Sequence, residues 1–267
     1  MGSVMKPFLL EIGKLKIAGY GTMILIGVIV AYCLFAYRGK KRGYNVDNLF
    51  DITVFSVIGG FLCAKLLYIV VENPKLLLNP VEIVKTFSQG FVVYGGIIGG
   101  FLVFILMCKR YKYNPLKIGD LAVASLAIGQ GFGRIGCLLA GCCYGRTTDS
   151  VIGITFHDSF IAPNEVSLIP TQIISSIFDF ILAGILIWYL YSLEKKNKEY
   201  NAGKVVGVYM ILYSIGRFII EFFRGDLERG FIGTLSTSQV ISIGIIIFGL
   251  IVFNLDKIKR LKYKEGI

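Results

Sequence analysis

Residues 118–148 read IGDLAVASLAIGQGFGRIGCLLAGCCYGRTT. The first part is an apolar run of the length that crosses a bilayer, about 20 residues. Arg134 sits toward the end of that run and is followed by a cluster of glycines and cysteines. An arginine near the centre of a membrane helix costs roughly 2.5–3.5 kcal/mol on insertion scales, so it generally has a partner or a task. The neighbouring glycines let backbone and ligand approach closely. The segment reads as an anion-binding site at a membrane face.

The rest of the chain agrees with a membrane setting. Its 267 residues are 55% hydrophobic, with a mean hydropathy of +0.71, too apolar for an ordinary soluble domain. The net charge of +11 could suggest nucleic acid, but the basic residues lie in loops beside apolar runs. They point to membrane topology and anionic lipid, and no nucleic-acid partner is expected. The expectation is one integral membrane domain over residues 1–267. It is all-α, with about seven transmembrane helices near 17–37, 48–71, 90–108, 118–139, 171–192, 204–222 and 238–255.

Charge in alternate loops orients these spans. Arg38, Lys40, Lys41 and Arg42 follow the first, Lys109, Arg110, Lys112 and Lys117 the third, and Lys195, Lys196, Lys198 and Lys204 the fifth. The tail adds Lys257, Lys259, Arg260, Lys262 and Lys264. The intervening loops, with Glu72, Lys75, Glu82 and Lys85, and later Arg224, Asp226, Glu228 and Arg229, are nearly balanced. The positive-inside rule then puts the N-terminus outside and the C-terminus in the cytoplasm, against weak opposition from Lys6, Lys14 and Lys16. The longest loop, roughly 140–170, falls on the outer side. No cleavable signal peptide is evident.

A second charged motif closes the sixth span. Arg217, Glu221 and Arg224 follow at spacings of four and three, so a helix presents them on one face. Alone, that pattern fits an interfacial salt-bridge ladder as well as a ligand site. Arg134 reaches the same membrane depth from another segment, and guanidinium forks fit phosphate oxygens in pairs, which favours a shared phosphate. The third span opens Ser88-Gln89-Gly90-Phe91-Val92-Val93-Tyr94-Gly95-Gly96, and Gly99 and Gly100 read as helix-packing residues. Tyr94 and Tyr20 are either interfacial aromatics or hydroxyls aimed into the site.

Gly131, Gly133 and Gly136 match the dinucleotide pattern G-x-G-x-x-G, which has meaning only between a strand and a helix. A membrane span precedes it here, so that reading is rejected. Cys137, Cys142 and Cys143 suggest metal or redox chemistry, yet they form no C-x-x-C pair and no histidine cluster accompanies them. Small packing residues are the expected reading, and no metal is assigned. His157, the only histidine, sits in the outer loop beside Asp158 and reads as incidental.

With these residues in hand, the chain resembles the bacterial prolipoprotein diacylglyceryl transferase family over nearly its whole length. The resemblance lies in Gly133-Arg134-Ile135-Gly136 with Gly141 and Gly145-Arg146, in Tyr20-Gly21, in Asp120, and in Pro170-Thr171-Gln172. It continues through Tyr213, Arg217, Glu221, Phe222, Phe223, Arg224 and Asp226, and through Leu235-Ser236-Thr237-Ser238-Gln239. The chain departs from the family at Tyr94, where a histidine is usual, at Cys137 and Ala140 (asparagines), Cys142 (glutamate) and Lys65 (arginine), and at Ile174 and Ser175.

The resemblance implies a multi-pass enzyme of the bacterial inner membrane. It would move diacylglyceryl from phosphatidylglycerol to the lipobox cysteine thiol in the signal peptide of a preprolipoprotein. Arg217, Tyr94 and Glu221 are the expected catalytic residues. Arg134, Arg217, Arg146, Tyr20, Gly136 and Gly145 are expected to bind phosphatidylglycerol. No cofactor is expected, because the phospholipid carries its own leaving group. The exchanged positions keep two alternatives open: a related glycerolipid transferase or hydrolase with a changed donor or acceptor, and a non-enzymatic lipid-binding membrane protein.

Overall fold

A computed structural model describes residues 8–12, 15–74, 76, 80–85, 90–197, 200–226 and 230–256. In chain order the elements are β1 (Phe8–Ile12), β2 (Leu15–Ala18), α1 (Gly19–Lys40), α2 (Val46–Val71), α3 (Pro80–Lys85), α4 (Val93–Arg110) and α5 (Pro115–Ala140). Then come β3 (Ile154–Thr155), β4 (Ser167–Leu168), α6 (Thr171–Lys196), α7 (Lys204–Glu221), β5 (Phe231–Ile232), β6 (Leu235–Ser236) and α8 (Thr237–Phe253). Lys6, Lys14, Lys75, Ser88, Gln89, Lys198, Glu228, Arg229 and the basic tail from Lys257 lie outside the described residues.

The protein is mostly helical and a multi-pass membrane protein. Helices α1, α2, α4, α5 and α6 are each long and apolar enough to cross a membrane. Helix α8 is apolar but has 17 residues, and α7 carries Lys204, Arg217 and Glu221. Large apolar side chains such as Leu62, Leu66, Phe101, Leu106, Ile181 and Trp188 are exposed along these helices. Water would penalise such a surface, whereas lipid tails cover it. The all-α expectation is corrected in one respect: β1–β2, β3–β4 and β5–β6 form three antiparallel pairs. These short ladders give connecting backbone its hydrogen bonds where no helix does.

Contacts divide the chain into two compact units, one of residues 35–118 and one of residues 1–34 with 119–267. In the first, α2 packs on α4 through glycines. A Cβ on Gly95 would lie 2.5 Å from the Cys63 carbonyl oxygen, and one on Gly99 would lie 2.3 Å from the Cys63 Cβ. This is the close backbone approach that small residues permit in membranes. In the second unit, Asp120 is fully buried and caps α7, accepting from the Gly203 and Val206 amides at 2.8 Å each. Ser236 and Gln239 form a reciprocal capping box at the start of α8.

The long loop after α5 folds on its own small core. Fully buried Phe156 packs with Ala162 and Leu168, flanked by Leu138, Tyr144, Ile154 and Val166. His157 lies on this loop, with Nδ1 2.6 Å from Glu165 Oε1.

Candidate active site

The site is built where α5 stops. Gly141 takes φ +71°, and the reversal it allows sends the Gly141 amide to the Leu138 carbonyl (3.2 Å) and the Cys142 amide to the Cys137 carbonyl (3.1 Å). That pair of bonds is a Schellman cap, which folds the residue after the glycine back over the helix's last turn. Cys143 also has a positive φ, 58°, and bends the chain a second time.

Two other segments hold this turn. From the start of α6, buried Thr171 donates to the Cys143 carbonyl (2.7 Å), and buried Gln172 donates to the Cys142 carbonyl (2.8 Å). The next residues run between two backbones. Gly145 donates to the Ile169 carbonyl (3.1 Å), Arg146 to that of Phe223 (2.9 Å), and Gly225 to that of Tyr144 (3.0 Å). The glycine–cysteine segment is thereby stitched to the arginine segment after α7.

On α7, Arg217 Nη1 lies 2.8 Å from Glu221 Oε2, and Arg217 also donates to the Ser238 hydroxyl (3.1 Å). Arg224 lies 3.6 Å from the same Glu221 oxygen and pairs with Asp226. One carboxylate thus serves two guanidinium groups. Arg134 and Arg217 line one cavity, together with Asp179, Tyr213 and Ser175 between walls of Phe178 and Ile220. Two guanidinium groups and the Asp179 carboxylate thus line one small space of about 10 Å³, with Arg217 also paired to Glu221.

The remaining expected residues divide by location. Tyr20, half-exposed in the first turn of α1, packs on Gly136, where an added Cβ would lie 3.1 Å from the tyrosine ring. Gly145 is buried against Ile169, and Arg146 is exposed, with Nε donating to the Arg224 carbonyl (3.4 Å). Tyr94 belongs to the 35–118 unit, half-exposed in the first turn of α4. Gly131, Gly133 and Gly136 all lie inside α5, so they do not form a strand-to-helix turn.

Asp179 escaped the sequence reading. It is only 2% exposed on α6 and within electrostatic reach of Arg134. Its signal was present, since a carboxylate inside an apolar span marks a functional position by default. The cysteines gain most from the structure. The Cys137, Cys142 and Cys143 sulfurs lie within 4.8 Å of one another, and all three side chains are partly buried. Hydrogen bonds from Cys137 and Cys142 hold the Cys143 thiol below its ordinary range, with Arg224 and Arg134 acting in the same direction.

Comparison with known proteins identifies the family. The family model described as prolipoprotein diacylglyceryl transferase matches residues 7–255. A phosphatidylglycerol–prolipoprotein diacylglyceryl transferase of Clostridium tetani is 50% identical over 256 residues, covering 96% of this chain and 100% of its own. The second such transferase of Clostridium perfringens is 52% identical, covering 97% and 98%. That of Staphylococcus xylosus is 32% identical, covering 97% and 91%. With the family matched across both units and near-complete relatives at half identity, the chain belongs to the prolipoprotein diacylglyceryl transferase family.

Proposed function

We propose that this chain is a phosphatidylglycerol–prolipoprotein diacylglyceryl transferase, taking the lipobox cysteine of a preprolipoprotein signal peptide as acceptor. It is an enzyme of the transferase class, as its full-length relatives are named. The observation that carries the chemistry is the cavity shared by Arg134 and Arg217.

The reaction joins the acceptor sulfur to a glycerol carbon and expels glycerol phosphate. Negative charge grows on the phosphate as the carbon–oxygen bond breaks. Fixed guanidinium donors aimed at that charge, in a site short of water, are the largest help a protein gives such a step. Arg134 and Arg217 take this role, and Glu221 holds Arg217 in place. Tyr20, Gly136 and Gly145 shape the phosphatidylglycerol site, and Arg146 supplies an outer contact. Tyr94 acts as a hydrogen-bond donor through its hydroxyl.

Topology follows the same reading: seven spans, with α7 and α8 as the sixth and seventh, and the N-terminus outside the inner membrane. Helices α1, α4 and α6 all end in basic turns, Arg38 and Lys40, Lys109 and Arg110, and Lys195 and Lys196, which supports a shared cytoplasmic side. The family match across residues 7–255 supports one transferase domain over residues 1–267.

The test is transfer of labelled diacylglyceryl to a lipobox peptide by purified protein, with Arg217→Ala beside the wild type. The wild type should form the thioether and the variant should form none. Equal product from both would overturn the role of Arg217. Wild-type modification of a different acceptor group, read by mass, would replace this reading with an altered specificity.

A further inference from the structure

We propose that Cys137, Cys142 and Cys143 form a three-thiolate site for a zinc-type divalent cation, whose open fourth position takes the thiol of the acceptor peptide. The inference rests on the transferase reading above and names how that site handles its acceptor.

Zinc–sulfur bonds of about 2.3 Å in a tetrahedron place sulfurs roughly 3.8 Å apart. Three sulfurs mutually within 4.8 Å need only small side-chain rotations to reach that spacing. Their convergence is built into the backbone. The Schellman reversal at Gly141 returns Cys142 to Cys137, the left-handed turn at Cys143 brings in the third sulfur, and Thr171 and Gln172 fix the carbonyls of that turn. A disulfide would use two of these thiols and leave the third unexplained.

The charge also fits. A divalent cation with three thiolates carries one net negative charge, and Arg134 and Arg224 both lie within electrostatic reach of Cys143. The ligand count matches chemistry, because catalytic zinc sites keep three protein ligands and one open position, and a thiol that fills it binds deprotonated. The placement suits this reaction, since Cys137 lies three residues after Arg134 on α5 and shares its face. An acceptor sulfur on the metal would therefore stand beside the phosphate site.

The acceptor thiol releases its proton to water on coordination. Its sulfur forms a bond to the terminal glycerol carbon of the diacylglyceryl group. The bond from that carbon to the phosphate oxygen breaks, and the electron pair leaves on glycerol phosphate between Arg134 and Arg217. Oxidation states do not change, and no further reactant is needed.

The test uses full-length protein in detergent, stripped with a chelator and reloaded with zinc or cobalt. One cation per chain is expected, with a thiolate-to-cobalt charge-transfer band that shifts on adding a lipobox peptide and not its cysteine-to-serine analogue. Cys137→Ser, Cys142→Ser and Cys143→Ser should each weaken metal binding by at least about tenfold, while Cys33→Ser should not. Zinc should also protect Cys137, Cys142 and Cys143 of the wild type from alkylation and leave exposed Cys33 reactive, a measurement independent of variant folding. Lipid transfer by protein that binds no cation would overturn the metal site and leave the transferase reading intact. Metal binding with a band indifferent to the peptide would overturn the acceptor role. A peptide-responsive metal without lipid product would uphold the inference about the thiol and remove the transferase reading instead.

Discussion

Arg217 and Glu221 face each other one turn apart on α7, with Nη1 2.8 Å from Oε2, and the Glu221 carboxylate is almost wholly buried. The same oxygen is 3.6 Å from Arg224, so this carboxylate sets the positions of two cations at once. An ion pair removed from water is worth little to stability by itself, but breaking one side leaves a charge without compensation. Its value here is positional, because Arg217 lines the cavity that Arg134 also lines.

Glu221→Gln should therefore reduce turnover more than it changes apparent affinity for phosphatidylglycerol. Breaking a buried pair costs about 3–5 kcal/mol, which the change to an amide only partly avoids. The melting temperature in detergent should fall as well. Steady-state kinetics with the lipid varied checks the first outcome, and unchanged turnover would remove Glu221 from the machinery.

Tyr94 stands at the start of α4, where the resemblance leads one to expect histidine. If its hydroxyl donates a hydrogen bond to substrate, Tyr94→Phe should lose about 1.5–3 kcal/mol of transition-state stabilisation, the range for a bond to a charged group. That is roughly 10- to 150-fold in kcat/KM. Tyr94→His should recover part of the loss. Phenylalanine with wild-type turnover would show that the ring alone is used.

Asp120 is a case of an acidic residue with a structural task. It satisfies two amides at the N-terminus of α7, where its charge also complements the helix dipole. Asp120→Ala should destabilise the protein by about 1–2 kcal/mol, seen as a lower melting temperature. Activity per folded molecule should hold near the wild-type value. A collapse of kcat in protein shown to be folded would instead place Asp120 in the chemistry.

The apolar runs carried the helices into view, because a span must satisfy its backbone internally and cover itself with lipid-compatible side chains. Helix α7 begins at Lys204 and α8 at Thr237, within a residue of where the hydropathy pattern put the last two runs. The sequence placed Arg134 and Arg217 near each other, and the structure has both lining one cavity. The two-residue strands were not legible, since so short a ladder has no alternation to detect. Nor was the meeting of three sulfurs, although Gly141 carried a clue as a glycine one step past a helix end. Thr171 and Gln172 were visible only as a motif, and their hydrogen bonds to the cysteine turn give that motif a physical reason.

Gly141 offers the sharpest test of how the backbone builds the site. Its φ of +71° is a left-handed conformation that costs an ordinary residue roughly 1–2 kcal/mol. Gly141→Ala must either bear that strain or let α5 run on, and the second course carries Cys142 away from Cys137. Thermal unfolding should show the loss, and alkylation of Cys142 should become faster. Gly244 in α8 is the contrast, for an added Cβ there meets nothing within 4 Å and the backbone is already helical. Gly244→Ala should leave stability unchanged or raise it by up to about 1 kcal/mol. If both variants behave alike, the reversal at Gly141 is not what holds the sulfurs together.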